Sequence, residues 1–157
     1  NMWLYKGEVI GSIEQMPENT FGFIYEVTYI PTNEKYLGKK VLYFERNKRL
    51  GKKALEIVRE ERKSKGLRGK TPLKQKVVTE SDWITYLGSH NRIKQLVKEG
   101  KDDQFSKKIL EFAFDKKNLT YLETKHQFSN SVLENTKYIN DNILGKFFRK
   151  DLVNPNL

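Results

Sequence analysis

Two tyrosines lie at a spacing that predicts neighbouring positions on adjacent strands. Tyr25 ends the triplet Phe23-Ile24-Tyr25, and Tyr36 begins the triplet Tyr36-Leu37-Gly38, with ten residues between them. Lys39 follows directly, and a cation beside a phenol favours the phenolate or holds a phosphate. These side chains are therefore candidates for proton transfer or phosphate binding. Taken singly, each tyrosine is more typical of an ordinary half-buried strand residue.

The residues around the tyrosines predict a β-hairpin. Residues 21–30 are rich in β-branched and aromatic side chains, and 31–34 supply turn residues before a second short strand at 35–39. Residues 105–114 predict a third, partly buried strand. The hairpin is the element that would set the distance between the two phenols.

Apolar spacing predicts three helices. The first covers about 50–65, the second follows Ser89 as its N-cap and stops at Gly100, and the third is capped by Asn118. Their apolar positions are Leu50, Ala54, Ile57 and Val58, then Ile93, Leu96 and Val97, then Leu119 and Leu122, with an extension towards Val132-Leu133. Residues 66–76 contain two glycines and a proline without periodicity, which predicts a mobile basic loop.

Composition excludes several kinds of site. The chain has 157 residues and no cysteine, so disulfides, thiol nucleophiles and thiolate zinc sites are excluded. Its two histidines, His90 and His126, have no spacing typical of a catalytic triad or a two-histidine zinc site. We find neither an apolar run of about 18 residues nor a secretory signal, and we expect no membrane association.

Positive charge is concentrated in one block. The chain carries 30 Lys and Arg against 20 Asp and Glu, a formal net charge of +10. Residues 46–76 hold thirteen of the basic residues against three acids, so this block accounts for the whole net charge. Such a concentration favours a polyanionic partner bound through its backbone phosphates, although a merely solvated loop is the alternative. Candidates for base contacts are Arg68, Lys70 and Gln75 on the loop, or Asn91 and Arg92 at a helix start.

The tyrosine triplets and the residues that follow them resemble the signature of the GIY-YIG nucleases. In that family an arginine follows the second glycine by eight residues, which corresponds to Arg46, and Lys39 holds a position that is lysine in part of the family. The remaining matches are the strand at 105–114, Tyr121-Leu122-Glu123 and Tyr138-Ile139-Asn140, so the resemblance covers about 21–142.

Further detail is similar to the Seg-type free-standing homing endonucleases of bacteriophages. The matching segments are Gly22-Phe23-Ile24-Tyr25, Gly38-Lys39-Lys40, Glu80-Ser81-Asp82-Trp83 and Tyr86-Leu87-Gly88-Ser89. Three positions depart from the family pattern. Phe23 and Leu37 are mild changes, whereas Leu50 replaces a His or Tyr that some members carry, which removes one general base or proton relay.

The resemblance implies an α/β (α+β) fold with a small three-stranded, mainly antiparallel sheet flanked by helices. We expect a single domain over 1–157, with a core at about 21–142, a basic helix–loop insert at about 46–78 and short extensions at both ends. It further implies a metal-dependent endonuclease of double-stranded DNA. If the protein is phage-encoded, we expect it in the host cytoplasm, and a homodimer is one source of site specificity.

The same resemblance implies roles for individual residues. Glu123 would hold Mg²⁺ or Mn²⁺, because hard cations prefer oxygen ligands and use few carboxylates. Arg46 would form a charge-assisted fork with the scissile phosphate, and Tyr25 or Tyr36 would orient or deprotonate the attacking water. Lys39 would hold a phosphate or lower the pKa of a phenol. Gly38 and Asn140 would support the site, and the expected DNA contacts are Lys40, Arg49, Lys52, Lys53, Arg68, Lys70, Lys74 and Lys76.

Several alternatives stay open at the level of sequence. Glu123 alone is also typical of a solvated helix acid, with Glu111 and Glu134 in reserve, and His126 lies on the same helix face as Glu123. A non-catalytic nucleic-acid-binding protein on the same fold would bind DNA without cutting it. A restriction or repair nuclease would share the chemistry and differ in its biological role.

Overall fold

A computed structural model of the chain describes residues 1–152. Contacts divide it into two compact units, an insert unit, Tyr43–Ser81, and a main unit formed by Asn1–Leu42 and the chain from Asp82 onwards. The strands are β1 (Trp3–Tyr5), β2 (Glu8–Ile10), β3 (Gly22–Tyr29), β4 (Glu34–Val41), β5 (Tyr43–Arg49), β6 (Lys74–Glu80), β7 (Phe105–Ala113), β8 (Asn142–Ile143) and β9 (Phe147–Phe148). The α-helices are α1 (Lys52–Ser64), α2 (Asn91–Lys98) and α3 (Lys116–Ser129).

The main unit is built on a five-stranded sheet in the order β2-β1-β7-β3-β4. The β3–β4 hairpin and the β7 strand confirm the three predicted strands, and the sheet is antiparallel except where β1 runs parallel to β7. The prediction of only three strands is wrong, because β1 and β2 add a second hairpin at the edge of β7. Lys6 and Gly7 both adopt positive φ in its two-residue turn, which is the geometry that joins tightly twisted strands.

Both faces of the sheet are covered, so β3 is buried almost throughout. Alternation along β3 sends Phe23, Tyr25 and Val27 into one core cluster, whereas Ile24 enters the other. The second cluster contains Leu119 and Leu122 of α3, and the first contains Ile93 and Leu96 of α2. The sheet therefore lies between the two helices, with Tyr25 on the α2 side.

The predicted caps of α2 and α3 are each displaced. His90 rather than Ser89 caps α2, and its imidazole accepts a hydrogen bond from the backbone N–H of Arg92. Asp115 rather than Asn118 caps α3, because the Asp115 carboxylate accepts from the Asn118 backbone N–H. The third helix ends at Ser129, so the predicted extension to Val132-Leu133 is wrong.

The insert unit consists of α1 and the antiparallel pair of β5 and β6. The predicted helix at 50–65 is confirmed as α1. The predicted loop at 66–76 is wrong at its end, because Lys74, Gln75 and Lys76 belong to β6. The insert is therefore a strand–helix–strand unit, not a helix and a loop. No helix within residues 1–152 is both long and apolar enough to cross a membrane.

Candidate active site

The β3–β4 hairpin brings the two tyrosines together around Gly38. Tyr25 pairs in register with Gly38, and Val27 pairs with Tyr36. A Cβ atom at Gly38 would lie 2.8 Å from the Tyr25 hydroxyl oxygen and 3.0 Å from Cε1 of Tyr36. Only glycine leaves room for both rings, whose centroids are 6.3 Å apart. The supporting role expected for Gly38 therefore has a steric basis.

Helix α3 contributes Glu123 to the same region. The Lys39 ammonium lies 3.9 Å from a Glu123 carboxylate oxygen, and it donates a hydrogen bond to the Thr120 hydroxyl over 3.0 Å. Glu123 and Tyr36 line one cleft of about 230 Å³, together with His90, Gln127, Asn140, Asp141, Asn142 and Leu144. One open cleft thus contains a phenol and a carboxylate that are 87 positions apart in sequence.

Asn140 holds the edge of the hairpin beside this cleft. Its side-chain oxygen accepts from the Leu37 backbone N–H over 3.1 Å, and its amide nitrogen donates to the Leu37 carbonyl over 2.8 Å. The Gln127 amide donates to the same carbonyl over 3.2 Å. The backbone N–H and carbonyl of Leu37, on the edge strand β4, are thereby both hydrogen-bonded. These bonds fix the part of β4 that carries Tyr36.

Burial keeps both phenols in their neutral form. It raises the pKa of Tyr25 well above its usual value, with smaller contributions from Tyr86 and Tyr36. Burial also raises the pKa of Tyr36, although a hydrogen bond with the Ser89 side chain opposes the shift. The Lys39 ammonium contacts Glu123 and Thr120, and its expected role, to hold a phosphate or to lower the pKa of a phenol, stays a prediction.

Glu123 is a partly buried carboxylate with the oxygen chemistry that a hard metal ion prefers. Burial raises its carboxyl pKa, whereas the Lys39 charge and a hydrogen bond with the Lys39 backbone lower it. Among residues 1–152 no group of three or more His, Asp or Glu side chains is arranged to hold an ion. Glu123 and Asp141 are the two carboxylates that line this open cleft, and such a cleft fits Mg²⁺ or Mn²⁺, because Mg²⁺ commonly retains several waters and binds one or two carboxylates together with a substrate phosphate.

The reserve acids and His126 have other surroundings. The imidazole of His126 is 2.9 Å from a carboxylate oxygen of Glu111, so these two residues form a pair of their own. Glu134 is exposed beyond the end of α3. Neither acid lines the cleft that contains Glu123.

A loop after the insert contributes residues that the sequence analysis did not assign to the site. Tyr86 forms a hydrogen bond with the Tyr25 hydroxyl, and their rings meet edge to face at 5.9 Å. Gly88 adopts φ +127°, and a Cβ atom there would lie 3.4 Å from the Tyr25 hydroxyl. His90 lines the cleft and contacts Asp141 at 2.9 Å. For Tyr86 and Gly88 the signal was the Tyr86-Leu87-Gly88-Ser89 segment of the family resemblance, whereas His90 lies just outside it.

Lys40 is placed differently from the other expected DNA contacts. It is buried, its ammonium lies 2.6 Å from an Asp82 carboxylate oxygen, and it stacks 3.8 Å above the centre of the Tyr86 ring. This cation supports the loop that carries Tyr86, so the expected DNA contact of Lys40 does not fit its position.

Arg46 and the other expected DNA contacts belong to the insert unit. Arg46 is exposed on β5 opposite Val77, and its catalytic role stays a prediction. The remaining expected DNA contacts are also exposed and comprise Arg49, Lys52, Lys53, Arg68, Lys70, Lys74 and Lys76. Lys76 forms an ion pair of 3.1 Å with Glu45.

Comparison with known proteins identifies the family. Residues 3–143 match the family model described as "Putative endonuclease segE, GIY-YIG domain". Neither the curated proteins nor the solved structures include a match to the chain. The family match covers most of the sequence and includes the phenol pair, Glu123 and Asn140. The chain therefore belongs to the SegE GIY-YIG endonuclease domain family.

Proposed function

We propose that this protein is a divalent-metal-dependent endonuclease that hydrolyses phosphodiester bonds of double-stranded DNA. The observation that carries the proposal is the shared cleft of Tyr36 and Glu123, with Tyr25 packed against Tyr36 at Gly38. We treat the whole chain as one nuclease domain in which the basic insert unit contributes affinity for phosphates.

Glu123 is the proposed ligand of Mg²⁺ or Mn²⁺. When bound, such an ion neutralises charge that develops on the phosphate oxygens. The ammonium of Lys39 lies beside Glu123 and adds a second positive charge at the cleft. Arg46 is the proposed guanidinium partner of the phosphate, since its planar fork matches two phosphate oxygens.

Tyr36 is the phenol that lines the cleft, so we assign it the contact with the attacking water. Because its raised pKa keeps it neutral, Tyr36 would orient the water by hydrogen bonding before it takes any proton. Tyr25 is almost fully buried, and its hydrogen bond with Tyr86 gives it a positioning role.

A plasmid cleavage assay tests the metal-dependent activity. Wild-type protein should convert supercoiled DNA to nicked or linear forms with Mg²⁺ and should be inactive in EDTA. E123Q should cleave at least about 100-fold more slowly, since it lacks the charged metal ligand. E134Q changes an exposed acid of the same type outside the cleft and should retain the wild-type rate. Equal rates for E123Q and wild type would rule out the proposed role of Glu123.

The biological role is proposed from the family alone. We propose a free-standing phage homing endonuclease acting in the host cytoplasm, either as a monomer or as a homodimer. Sequencing the ends of cleaved phage genomic DNA would test this, because a homing enzyme yields one or a few sites. Degradation at many unrelated sites would contradict it.

A further inference from the structure

We propose that the two-stranded ribbon formed by β5 and β6 enters the major groove of the DNA substrate and reads base pairs with one of its two faces. The inference rests on the proposed function, because it assumes a duplex DNA substrate. Beyond the proposed function, it names the structural element and the side chains that would give the protein a preference for particular DNA sequences.

The ribbon has a shape suited to this groove. Its strands pair over seven positions, from Tyr43 opposite Glu80 to Arg49 opposite Lys74, without a third strand. The major groove of B-form DNA is about 12 Å wide and admits a two-stranded β-ribbon. Isolated two-stranded hairpins are marginally stable in water, so a ribbon exposed along its length gains from a surface that accommodates it.

Alternation along the strands separates two faces at the end of the ribbon nearest α1. One face, called here the reading face, carries Asn47, Arg49, Lys74 and Lys76. The opposite face carries Lys48 and Gln75, followed by Arg46 and Val77. Val77 is the one residue of the ribbon, which lies wholly within the described chain, that is not exposed. The reading face is therefore the more accessible of the two.

The side chains of the reading face have the chemistry of base recognition. Arginine forms two hydrogen bonds with the guanine edge, and asparagine forms two with the adenine edge. Arg49 and Asn47 supply these two groups on one strand, two residues apart. Lys76 forms an ion pair with Glu45, whereas Lys74 lies opposite Arg49 across the ribbon. The face thus combines direct readout with a positive charge.

This assignment differs from phosphate binding by the rest of the insert. Lysines of α1 and of the following loop supply affinity that does not depend on sequence. Substitutions that keep the charge but remove a two-hydrogen-bond contact should therefore alter sequence preference without altering the salt dependence of binding. N47A and R49K are substitutions of this kind on the reading face. Q75A and K48R are their matched controls, because both positions lie on the opposite face, and the proposal therefore replaces the sequence-based expectation of a base contact by Gln75.

The experiment selects bound sequences from a randomised pool of DNA duplexes, using the full chain in EDTA so that cleavage does not interfere. Wild type should enrich a defined motif. N47A should lose about 10-fold preference at an A·T pair, and R49K should lose a similar factor at a G·C pair. Q75A and K48R should enrich the wild-type motif. All four variants should keep the wild-type slope of affinity against salt concentration.

Several results would overturn the inference. They are an unchanged motif in both N47A and R49K, an equal loss of preference in Q75A and K48R, no motif for the wild type, or tighter binding to A-form RNA than to DNA. Plasmid cleavage with Mg²⁺ is measured on the same preparations. A protein that does not cleave DNA is thereby distinguished from a protein whose ribbon does not read base pairs. All four positions are exposed, and circular dichroism confirms folding before selection.

Discussion

The space beside Gly38 holds the phenol rings of Tyr25 and Tyr36, and this leaves no room there for a larger residue. A methyl group there would approach the Tyr25 hydroxyl to 2.8 Å and Cε1 of Tyr36 to 3.0 Å. One of the two rings would have to move. Because Tyr25 is packed among buried aromatic rings, we expect the ring that moves to be that of Tyr36, which lines the cleft. Catalysis is sensitive to shifts of this size because reacting groups must meet at near-contact distance.

We predict that G38A lowers the single-turnover cleavage rate by about 10-fold or more and leaves DNA affinity in EDTA within about twofold, since the insert unit is unchanged. Gly51→Ala is the matched control, because a Cβ atom there meets nothing within 4 Å. A cleavage rate for G38A equal to that of the control would contradict the packing argument.

Lys107 makes the stability of the fold depend on pH. Its ammonium is buried, donates a hydrogen bond to the Ile84 carbonyl over 2.7 Å and lies 4.4 Å from the centre of the Trp3 ring. Burial lowers its pKa to about 8 from the usual 10.5. Between these two values the unfolded chain binds more protons than the folded one, so the free energy of unfolding rises with pH.

We predict that the free energy of unfolding increases from pH 8 to pH 10, with a contribution from Lys107 of at most about 1.4 kcal/mol per pH unit. K107M lacks the titrating group and should show a flatter profile over that range. Urea unfolding at several pH values measures both. K108M, on the neighbouring exposed lysine of β7, should follow the wild-type profile, and a K107M profile that rises as steeply would count against the assignment.

The residues of the site were predictable only in part. Tyr25, Tyr36 and Glu123 carry recognisable motifs, and two of them line one cleft. The raised pKa of Tyr25 was not predictable, because the rings that pack against this phenol include those of Trp3 and Tyr86, which lie far away in sequence. Local sequence reports the neighbours along a strand but not the rings that cover it.

At the scale of elements, the long buried strands were easier to predict than the short or charged ones. Strand β3 has β-branched or aromatic residues at six of its eight positions, whereas β1 and β2 have three residues each, too few for a detectable alternation. Strands β5 and β6 were missed because both are exposed and charged, which removes the apolar pattern. The basic composition of the insert predicts a polyanionic partner, but the same charged residues give no pattern from which the β5–β6 ribbon could be predicted.

Strand β1 contacts Tyr25 of the site through Trp3. The indole is almost fully buried, its N–H donates to the Trp83 carbonyl over 2.6 Å, and its ring packs 5.5 Å from that of Tyr25. We predict that W3A lowers the free energy of unfolding by about 3–5 kcal/mol, the usual cost of removing a buried large aromatic.

Thermal or urea unfolding measures this loss. M2A changes the exposed neighbouring residue and should cost less than about 0.5 kcal/mol. A W3A value as small as that of M2A would mean that β1 and β2 are not part of the stable sheet.

At the scale of the whole molecule, charge is divided unequally between the two units. The insert unit contains thirteen of the 30 basic residues and five of the 20 acids, a net charge of +8, which leaves +2 for the rest of the chain. Affinity for DNA phosphates should therefore come chiefly from the insert unit, whereas the proposed metal ligand Glu123 and the proposed water-contacting phenol Tyr36 lie in the main unit.

This division predicts how binding responds to salt. Lys52 and Lys53 begin α1 and are exposed, and glutamine at both positions removes two charges without a cost to the helix. If both lysines contact phosphates, K52Q/K53Q should make the slope of log affinity against log salt less negative by roughly two. The loss of affinity should be the same for any duplex sequence, because phosphates carry no sequence information.

The matched control is K116Q/K117Q, which alters the equivalent exposed pair at the start of α3 in the main unit. Fluorescence anisotropy in EDTA, from low to moderate salt, measures the slopes for both double variants and the wild type. An unchanged slope for K52Q/K53Q together with a less negative slope for K116Q/K117Q would mean that the phosphate contacts lie in the main unit. Both double variants keep the charges of the proposed catalytic cleft. Cleavage by K52Q/K53Q at saturating protein should therefore stay at the wild-type rate. This result would separate the contribution of the insert unit to DNA binding from the cleavage step.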